Sequence, residues 1–279
     1  MKILILGSKG MLGGELVRQL SGEELFQFDS DLDVTDRELI QSTIEKIKPE
    51  VIFNCVAYNS VDKAEGEDVA KAQALNADAV GYIAEAAEEA DATLVHYSTG
   101  FVFDGMDENG YSEDDQLNPQ SVYARTKAEG EKQAAKASKH YIVRLNLLFG
   151  QSGASENSKK SFPDLTLRLA KNKTELDMVA DEISTPTYAP DLAKASIELV
   201  KEKYPHGIYH LPNDGRASWR EFAEEIFRIK DVNVKINPVP ASKFPRPAKR
   251  PRYSVINNNK FPKLRSWKDA LKEFLETSK

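Results

Sequence analysis

Residues 2–14 read Lys2-Ile3-Leu4-Ile5-Leu6-Gly7-Ser8-Lys9-Gly10-Met11-Leu12-Gly13-Gly14. Four aliphatic residues in a row, Ile3 to Leu6, suit a strand buried on both faces of a parallel sheet. Glycines then stand at 7, 10 and 13, and apolar residues recur at Leu12, Leu16, Val17 and Leu20, the spacing of one helix face. A strand, a glycine turn and a helix in this order suit a dinucleotide. Gly7 lets the chain turn sharply off the strand, Gly10 lets the backbone approach a pyrophosphate, and Gly13 lets helix and strand pack closely. The helix start then presents free N–H groups and a partial positive charge to the phosphates. The spacing G-x-x-G-x-x-G is a variant of the G-x-G-x-x-G fingerprint.

Outward from this turn the chain alternates. Strand-like runs at 2–6, 25–28, 50–56, 92–97 and 140–145 are separated by helical patterns near 11–20, 36–47, 68–90 and 121–138. That rhythm predicts βαβ units, hence an α/β fold: a Rossmann-type doubly wound parallel sheet, with crossovers carrying strands outward from the first. After about residue 150 the rhythm changes. Residues 151–161 read as a polar loop, a helix is expected at 162–172, and Pro186 and Pro190 break the chain. Further helices are expected at 191–202, 218–229 and 266–277. Prolines at 238, 240, 245, 247 and 251 among basic residues predict an extended surface segment. The expected organisation is a dinucleotide-binding domain over 1–150, rejoined by about 186–204. The remainder, 151–279, is mainly a smaller substrate-binding part.

Composition narrows the function. The chain has 279 residues, 41% hydrophobic and 29% charged, with a formal net charge of −6. A negative protein is poorly suited to nonspecific nucleic-acid binding, which needs a basic face. No run approaches the roughly 20 apolar residues of a membrane span, and the N-terminus lacks the pattern of a signal peptide. The single cysteine, Cys55, rules out an intrachain disulfide and fits a reducing, cytoplasmic setting. It lies in the apolar run Val51–Val56 and reads as a small core residue. No His/Cys/Asp cluster has transition-metal spacing, so no metal is expected. His96 and His210 read as structural, His140 and His206 as loop or strand-edge residues. The acidic run Glu108–Asp115 reads as a solvated loop.

The second strand ends at Asp29, where a carboxylate can accept from the adenosine 2′-OH and so favours NAD over NADP. Asp33-Val34 could instead lie along the adenine. Asp36 is the expected N-cap of the next helix.

Tyr123-Ala124-Arg125-Thr126-Lys127 follows Pro119 in a helical pattern. Positions i and i+4 share one face, so phenol and ammonium can point into one site. A nearby ammonium favours the phenolate and eases proton transfer from Tyr123. Ser98-Thr99 closes the fourth strand, and ligands bind at the carboxyl ends of parallel strands.

Together, Gly7–Gly13, Tyr123/Lys127 and the upstream hydroxyl resemble the extended short-chain dehydrogenase/reductases. Within them, the chain is most similar to the dTDP-4-dehydrorhamnose reductase family. The resemblance rests on Asn54–Glu65 (N-C-V-A-Y-N-S-V-D-K-A-E), His96–Gly105 (H-Y-S-T-G-F-V-F-D-G), Val122–Glu131 (V-Y-A-R-T-K-A-E-G-E), Val179–Thr187, Gly207–His210 and Arg250-Pro251. These segments run the length of the chain. The resemblance implies NAD(P)H-dependent reduction of a 4-keto nucleotide-sugar in cell-surface polysaccharide synthesis, with a homodimer as a possible assembly. It implies that Tyr123 donates a proton to the substrate carbonyl oxygen, Thr99 hydrogen-bonds the same oxygen, and Lys127 tunes Tyr123 and holds the nicotinamide ribose. It implies cofactor contacts at Gly7, Lys9, Gly10, Met11, Leu12, Gly13, Asp29, Asp33, Val34, Cys55, Ala57, Tyr58, Asn76, Ser98, Tyr123 and Lys127. Substrate contacts are implied at Asn59, Phe101, Phe103, Asn146 and Arg250.

The chain departs from the family on the sugar side. Gly100-Phe101 stands for the usual Asp-Tyr after the threonine, Asn59 or Ser60 for a threonine, and Leu147 for a tryptophan. The cluster Lys249, Arg250 and Arg252 offers a clamp for a nucleotide diphosphate, or a solvated loop. Two other readings stay open here: a cofactor-binding regulatory or assembly subunit without turnover, and a nucleotide-sugar epimerase or dehydratase that recycles its cofactor.

Overall fold

A computed structural model describes residues 1–155 and 160–277 of the chain. The loop expected over 151–161 therefore includes four residues, 156–159, outside the described residues.

Five strands alternate with helices: β1 (Lys2–Leu6), β2 (Glu24–Phe28), β3 (Val51–Asn54), β4 (Thr93–Thr99) and β5 (His140–Leu145). A sixth strand, Gly207–His210, completes one parallel sheet in the order β2, β1, β3, β4, β5 and Gly207–His210. The chain thus steps from β1 to β2 on one side, then crosses to β3 on the other. That reversal is a topological switch point, and the crevice outside the carboxyl ends of β1 and β3 is where such sheets bind ligands. Because every strand is parallel, Gly7, Asp29, Cys55, Gly100 and Asn146 all leave the same edge.

Helices cover both faces. On one lie α1 (Met11–Gln19) and α7 (Ala189–Lys201), where Leu12, Leu16, Leu192 and Leu199 pack on Ile3, Ile5, Val95 and Val143. On the other, α2 (Arg37–Ile47) brings Ile40 and Ile44 against Leu4, Leu6 and Ile52. Asp36 caps α2 through the Leu39 amide at 3.0 Å.

The helix expected over 68–90 is broken. It runs as α3 (Val69–Gln73), a π-helical turn (Ala74–Asp78) and α4 (Ala79–Glu89). The π turn places Asn76 fully inside, where a Cβ on Gly130 would stand 2.1 Å from the Asn76 carbonyl oxygen. Gly130 belongs to α5 (Val122–Ala134), so its missing side chain lets α5 press directly against that turn.

The C-terminal part packs α6 (Phe162–Ala170), α8 (Trp219–Lys230) and α9 (Trp267–Thr277) around Phe149, Phe222, Trp267 and Phe274. Pro190 does not break the chain; it sits in the first turn of α7, where a missing N–H costs nothing. Within the proline-rich segment expected as extended surface, Lys235–Val239 forms an edge strand paired with Glu175–Val179. Pro238 is tolerated there because an edge strand needs bonds on one side only. The rest is tied by ions, Lys243 to Asp177, Arg246 to Glu182 and Arg250 to Asp62. Among the described residues, no helix is long and apolar enough to cross a membrane.

Candidate active site

The glycine turn is built from backbone. Gly7 lies at φ +77°, and its amide and that of Ser8 donate to the Phe28 carbonyl at 2.8 and 3.0 Å. A Cβ on Gly13 would stand 2.1 Å from the Gly7 carbonyl oxygen, so α1 can approach the strand end only because residue 13 is glycine. Gly10 is the N-cap of α1 and has no side chain to close off its amides. Leu12 turns its side chain into the core and Met11 is half-buried, leaving backbone as what both present to the edge. This turn fits a dinucleotide pyrophosphate: open amides, a helix N-terminus and no Cβ in the way.

Around it, Lys9 is exposed, and its amide reaches Asp29 Oδ1 at 3.4 Å. Asp33 is exposed and binds Thr35, while Val34 is buried in the core behind β2. Cys55 packs in the core, and burial pushes its thiol well above the ordinary range. Ala57 is half-buried and Asn59 exposed at the edge beyond β3. Tyr58 is buried and donates to Asp68 at 2.6 Å. The Asn76 carboxamide brackets the Tyr58 backbone at 2.9 and 3.1 Å and reaches Thr126 at 3.2 Å. It shapes the edge after β3 and holds α5 against it.

The helix α5 is held along its whole length. Ser121 caps it through Ala124, and the Glu65 carboxylate accepts from the Val122 amide at 2.6 Å, an anion at a helix N-terminus. Asp62, three residues before Glu65, grips Arg250 at 2.7 and 2.8 Å and the Ala248 amide. The D-K-A-E stretch thus joins the N-terminal sheet both to α5 and to the basic segment. Arg250 is consequently paired with Asp62 and not free in a cleft, while Arg252 stacks on Tyr253.

One turn apart on α5, Tyr123 and Lys127 are both buried. The Tyr123 phenol lies beside Thr99, and Phe101 meets its ring edge-to-face at 6.1 Å. Burial pushes the phenol up to about 12, and the Thr99 hydroxyl offsets this only in part. The Lys127 ammonium donates to the Tyr97 carbonyl at 2.6 Å. Burial pulls it down to about 8, opposed by Glu131. The expected lowering of Tyr123 by Lys127 is therefore not seen: the ammonium is spent on β4 backbone, and desolvation dominates the phenol.

Behind them lies a buried polar network. The Glu131 carboxylate binds Arg144 at 2.7 and 2.9 Å and accepts from Ser98 at 2.5 Å. Arg144 continues to the Glu113 carbonyl and to His210 Nε2, both at 3.2 Å. With Asn257 O beside Nδ1 at 3.0 Å, His210 carries its proton on Nδ1 and is neutral. Burial, then Arg144, pulls it down to about 3. Ser98 thus spends its hydroxyl behind the sheet edge. Glu113 is buried and bound to Asn259, unlike its solvated neighbours in the acidic run. Phe103 is fully buried, stacked on Tyr111 at 4.3 Å, a core residue and not a wall of the cleft.

At the ends of β4 and β5, Thr99, Gly100 and Asn146 meet, and Ile256 from the C-terminal part closes over Gly100. Beyond Ile256 opens a polar cavity of about 380 Å³ lined by Asn213, Arg216, Asn257 and Lys263 among others. No motif marks these residues, because the lining converges from separate stretches around Asn109, Thr185, 212–216 and 255–264.

Comparison with known proteins agrees with this geometry. A family model described as RmlD substrate binding domain matches residues 1–279. The dTDP-4-dehydrorhamnose reductase of Aggregatibacter actinomycetemcomitans is 36% identical, covering 97% of each chain. A crystal structure of a dTDP-4-dehydrorhamnose reductase from Clostridium acetobutylicum superposes with a TM-score of 0.93 at 39% identity, covering 99% of both chains. A second, from Bacillus anthracis in complex with NADP, gives a TM-score of 0.93 at 34% identity over 100% of both. Sequence and fold agree along the full length, and the chain belongs to the RmlD family of dTDP-4-dehydrorhamnose reductases.

Proposed function

We propose that this chain reduces a 4-keto nucleotide-sugar, dTDP-4-dehydrorhamnose to dTDP-rhamnose, with NADPH or NADH, in cell-surface polysaccharide synthesis. The observation that carries this reading is that Tyr123, buried on α5, lies beside Thr99 at the carboxyl end of β4, with Lys127 one helical turn away. A phenol held near 12 keeps its proton at neutral pH and is available as an acid. Tyr123 gives that proton to the substrate carbonyl oxygen, and Thr99 hydrogen-bonds the same atom. Lys127, still protonated at neutral pH, turns from the Tyr97 carbonyl to the ribose hydroxyls of the cofactor. The reduced nicotinamide supplies the hydride.

Residues 1–150 and the return through 186–204 serve the cofactor, and the rest of 151–279 mainly the sugar nucleotide. The polar cavity beyond Ile256, with Arg216 and Lys263 in its wall, supports that division. Lys9 beside Asp29 supports binding of either dinucleotide: the cation suits a 2′-phosphate, the carboxylate a 2′-hydroxyl. The single cysteine supports a cytoplasmic setting.

The test follows nicotinamide oxidation, with NADH and separately with NADPH, on adding dTDP-4-dehydrorhamnose. Tyr123→Phe should abolish turnover while the thermal shift produced by the cofactor persists. Unchanged turnover in that variant would overturn the acid role. Cofactor binding without any oxidation would instead favour a regulatory subunit.

A further inference from the structure

The ends of β4 and β5 meet at one carboxamide. Asn146 Oδ1 accepts from the Gly100 amide at 3.0 Å and from the Thr99 hydroxyl at 3.3 Å, while Nδ2 donates to the Ser254 carbonyl at 2.5 Å. A donor on one side and an acceptor on the other admit only one orientation of this buried amide. The Thr99 hydroxyl is thereby ordered. In the structure it donates to Asn146 Oδ1 at 3.3 Å and accepts from the Phe101 amide at 3.2 Å, with Tyr123 beside it.

Gly100 is the complement. A Cβ there would stand 2.4 Å from Asn146 Nδ2 and 2.9 Å from Ile256 Cγ2. Its backbone lies outside the left-handed region, so space and not conformation demands glycine. The aspartate that the resembled family carries after its threonine would need the volume that Asn146 fills.

We propose that Asn146 is a positioning residue for Thr99, and that Gly100 is the space it requires. A neutral carboxamide from the end of β5 stands where a side chain at position 100 would otherwise stand. Asn146 and the Phe101 amide fix where the Thr99 oxygen lies, and with substrate bound the hydroxyl proton swings from Asn146 Oδ1 to the carbonyl oxygen, so Asn146 acts on the reaction through Thr99 and not by touching the sugar. The proposal rests on the reading of Thr99 and Tyr123 given above.

The experiment is a mutant cycle over Thr99→Ala, Asn146→Ala and Gly100→Ala, reading NADPH oxidation with dTDP-4-dehydrorhamnose. Melting temperature, with and without NADP+, establishes that each variant is folded and binds cofactor. Asn146→Ala should lower kcat about 10- to 100-fold with the KM for NADPH little changed, the size expected of a misplaced reacting group. In the Thr99→Ala background the same change should cost nothing further. Gly100→Ala should lose activity, and adding Asn146→Ala should recover part of it by vacating the contested volume. If Asn146→Ala alone unfolds the chain, Asn146→Ser replaces it, with the same expectation. Equal losses from Asn146→Ala with and without Thr99 would overturn the positioning role. A Gly100→Ala/Asn146→Ala double variant that melts and turns over no better than Gly100→Ala would overturn the volume coupling. Full activity in Thr99→Ala would sink the catalytic reading itself, and the positioning role with it. The melting temperatures then still decide whether residues 100 and 146 compete for space.

Discussion

At the glycine turn the site is made by what is missing; at the end of β4 it is made by what crowds in. Gly7, Gly10 and Gly13 leave amides open and let α1 close on the strand. Thr99, in contrast, is held by Asn146 from the end of β5, itself anchored on the Ser254 carbonyl, and the helix carrying Tyr123 is held through Thr126 by Asn76. The first kind of site is built mostly from backbone of one strand–turn–helix unit, tied to the end of the neighbouring strand at Phe28. The second is a convergence, and each of its members is held by another that is distant in sequence. A site of the first kind tolerates change everywhere except at its glycines, whereas one of the second kind can be damaged from far away.

The largest expected effect tests that remoteness. Glu131→Gln leaves the Arg144 guanidinium buried without its carboxylate, and should cost about 3–5 kcal/mol in urea denaturation. A cost below about 1 kcal/mol would show that the network behind α5 is dispensable, and the contrast between the two regions would fail.

Acid should find the same network. His210 is held near 3 when folded, below its ordinary 6.5, so the unfolded chain binds the extra proton. Its contribution is complete above pH about 6.5 and is lost as the pH falls toward 3, up to about 4 kcal/mol. His210→Gln should flatten the fall in stability between those limits, read as the melting temperature across the acid range.

Next in size is Gly13→Ala. Its Cβ would meet the Gly7 carbonyl oxygen at 2.1 Å and the Gly7 carbon at 2.8 Å, both backbone. The strand end must move, at a cost of about 3 kcal/mol, and dinucleotide binding should be lost with it. The smallest effect belongs to its neighbour. A Cβ on Gly14 would have only the Ser8 carbonyl oxygen nearby, at 3.6 Å. Gly14→Ala should therefore stabilise α1 by about 0.5–1 kcal/mol and leave cofactor affinity unchanged. Equal damage from the two alanines would mean that the turn needs flexibility and not the close approach at residue 13.

The same contrast explains which residues could be read in advance. The turn at Gly7–Gly13, the alternation of elements, the Asp36 cap and the Tyr123/Lys127 spacing are periodic or local, so they stand in the sequence. Val34, Ser98 and Phe103 have buried side chains, packed in the core, on Glu131 and on Tyr111, and such burial depends on partners distant in sequence. Asn76 braces Tyr58 and α5 through a π turn that no local pattern announces. For the Arg250 cluster the sequence leaves a diphosphate clamp and a solvated loop both open, and in the structure the Arg250 charge is met by Asp62, 188 residues away. The sixth strand, Gly207–His210, joins the sheet only after the chain has left it and returned.

By itself, then, the sequence determined a parallel sheet opening on a glycine turn, and a tyrosine and lysine one turn apart on a helix beyond its fourth strand. Those features follow from periodicity and from the geometry of a residue missing its Cβ, and both act over a few bonds. Only the tertiary structure decided that Asn146 fills the space left by Gly100, that Thr99 points where it does, and that a buried Glu131–Arg144 pair braces the catalytic helix. Such contacts depend on which side chains share a volume after the sheet has closed, and in a close-packed interior a volume holds one of them.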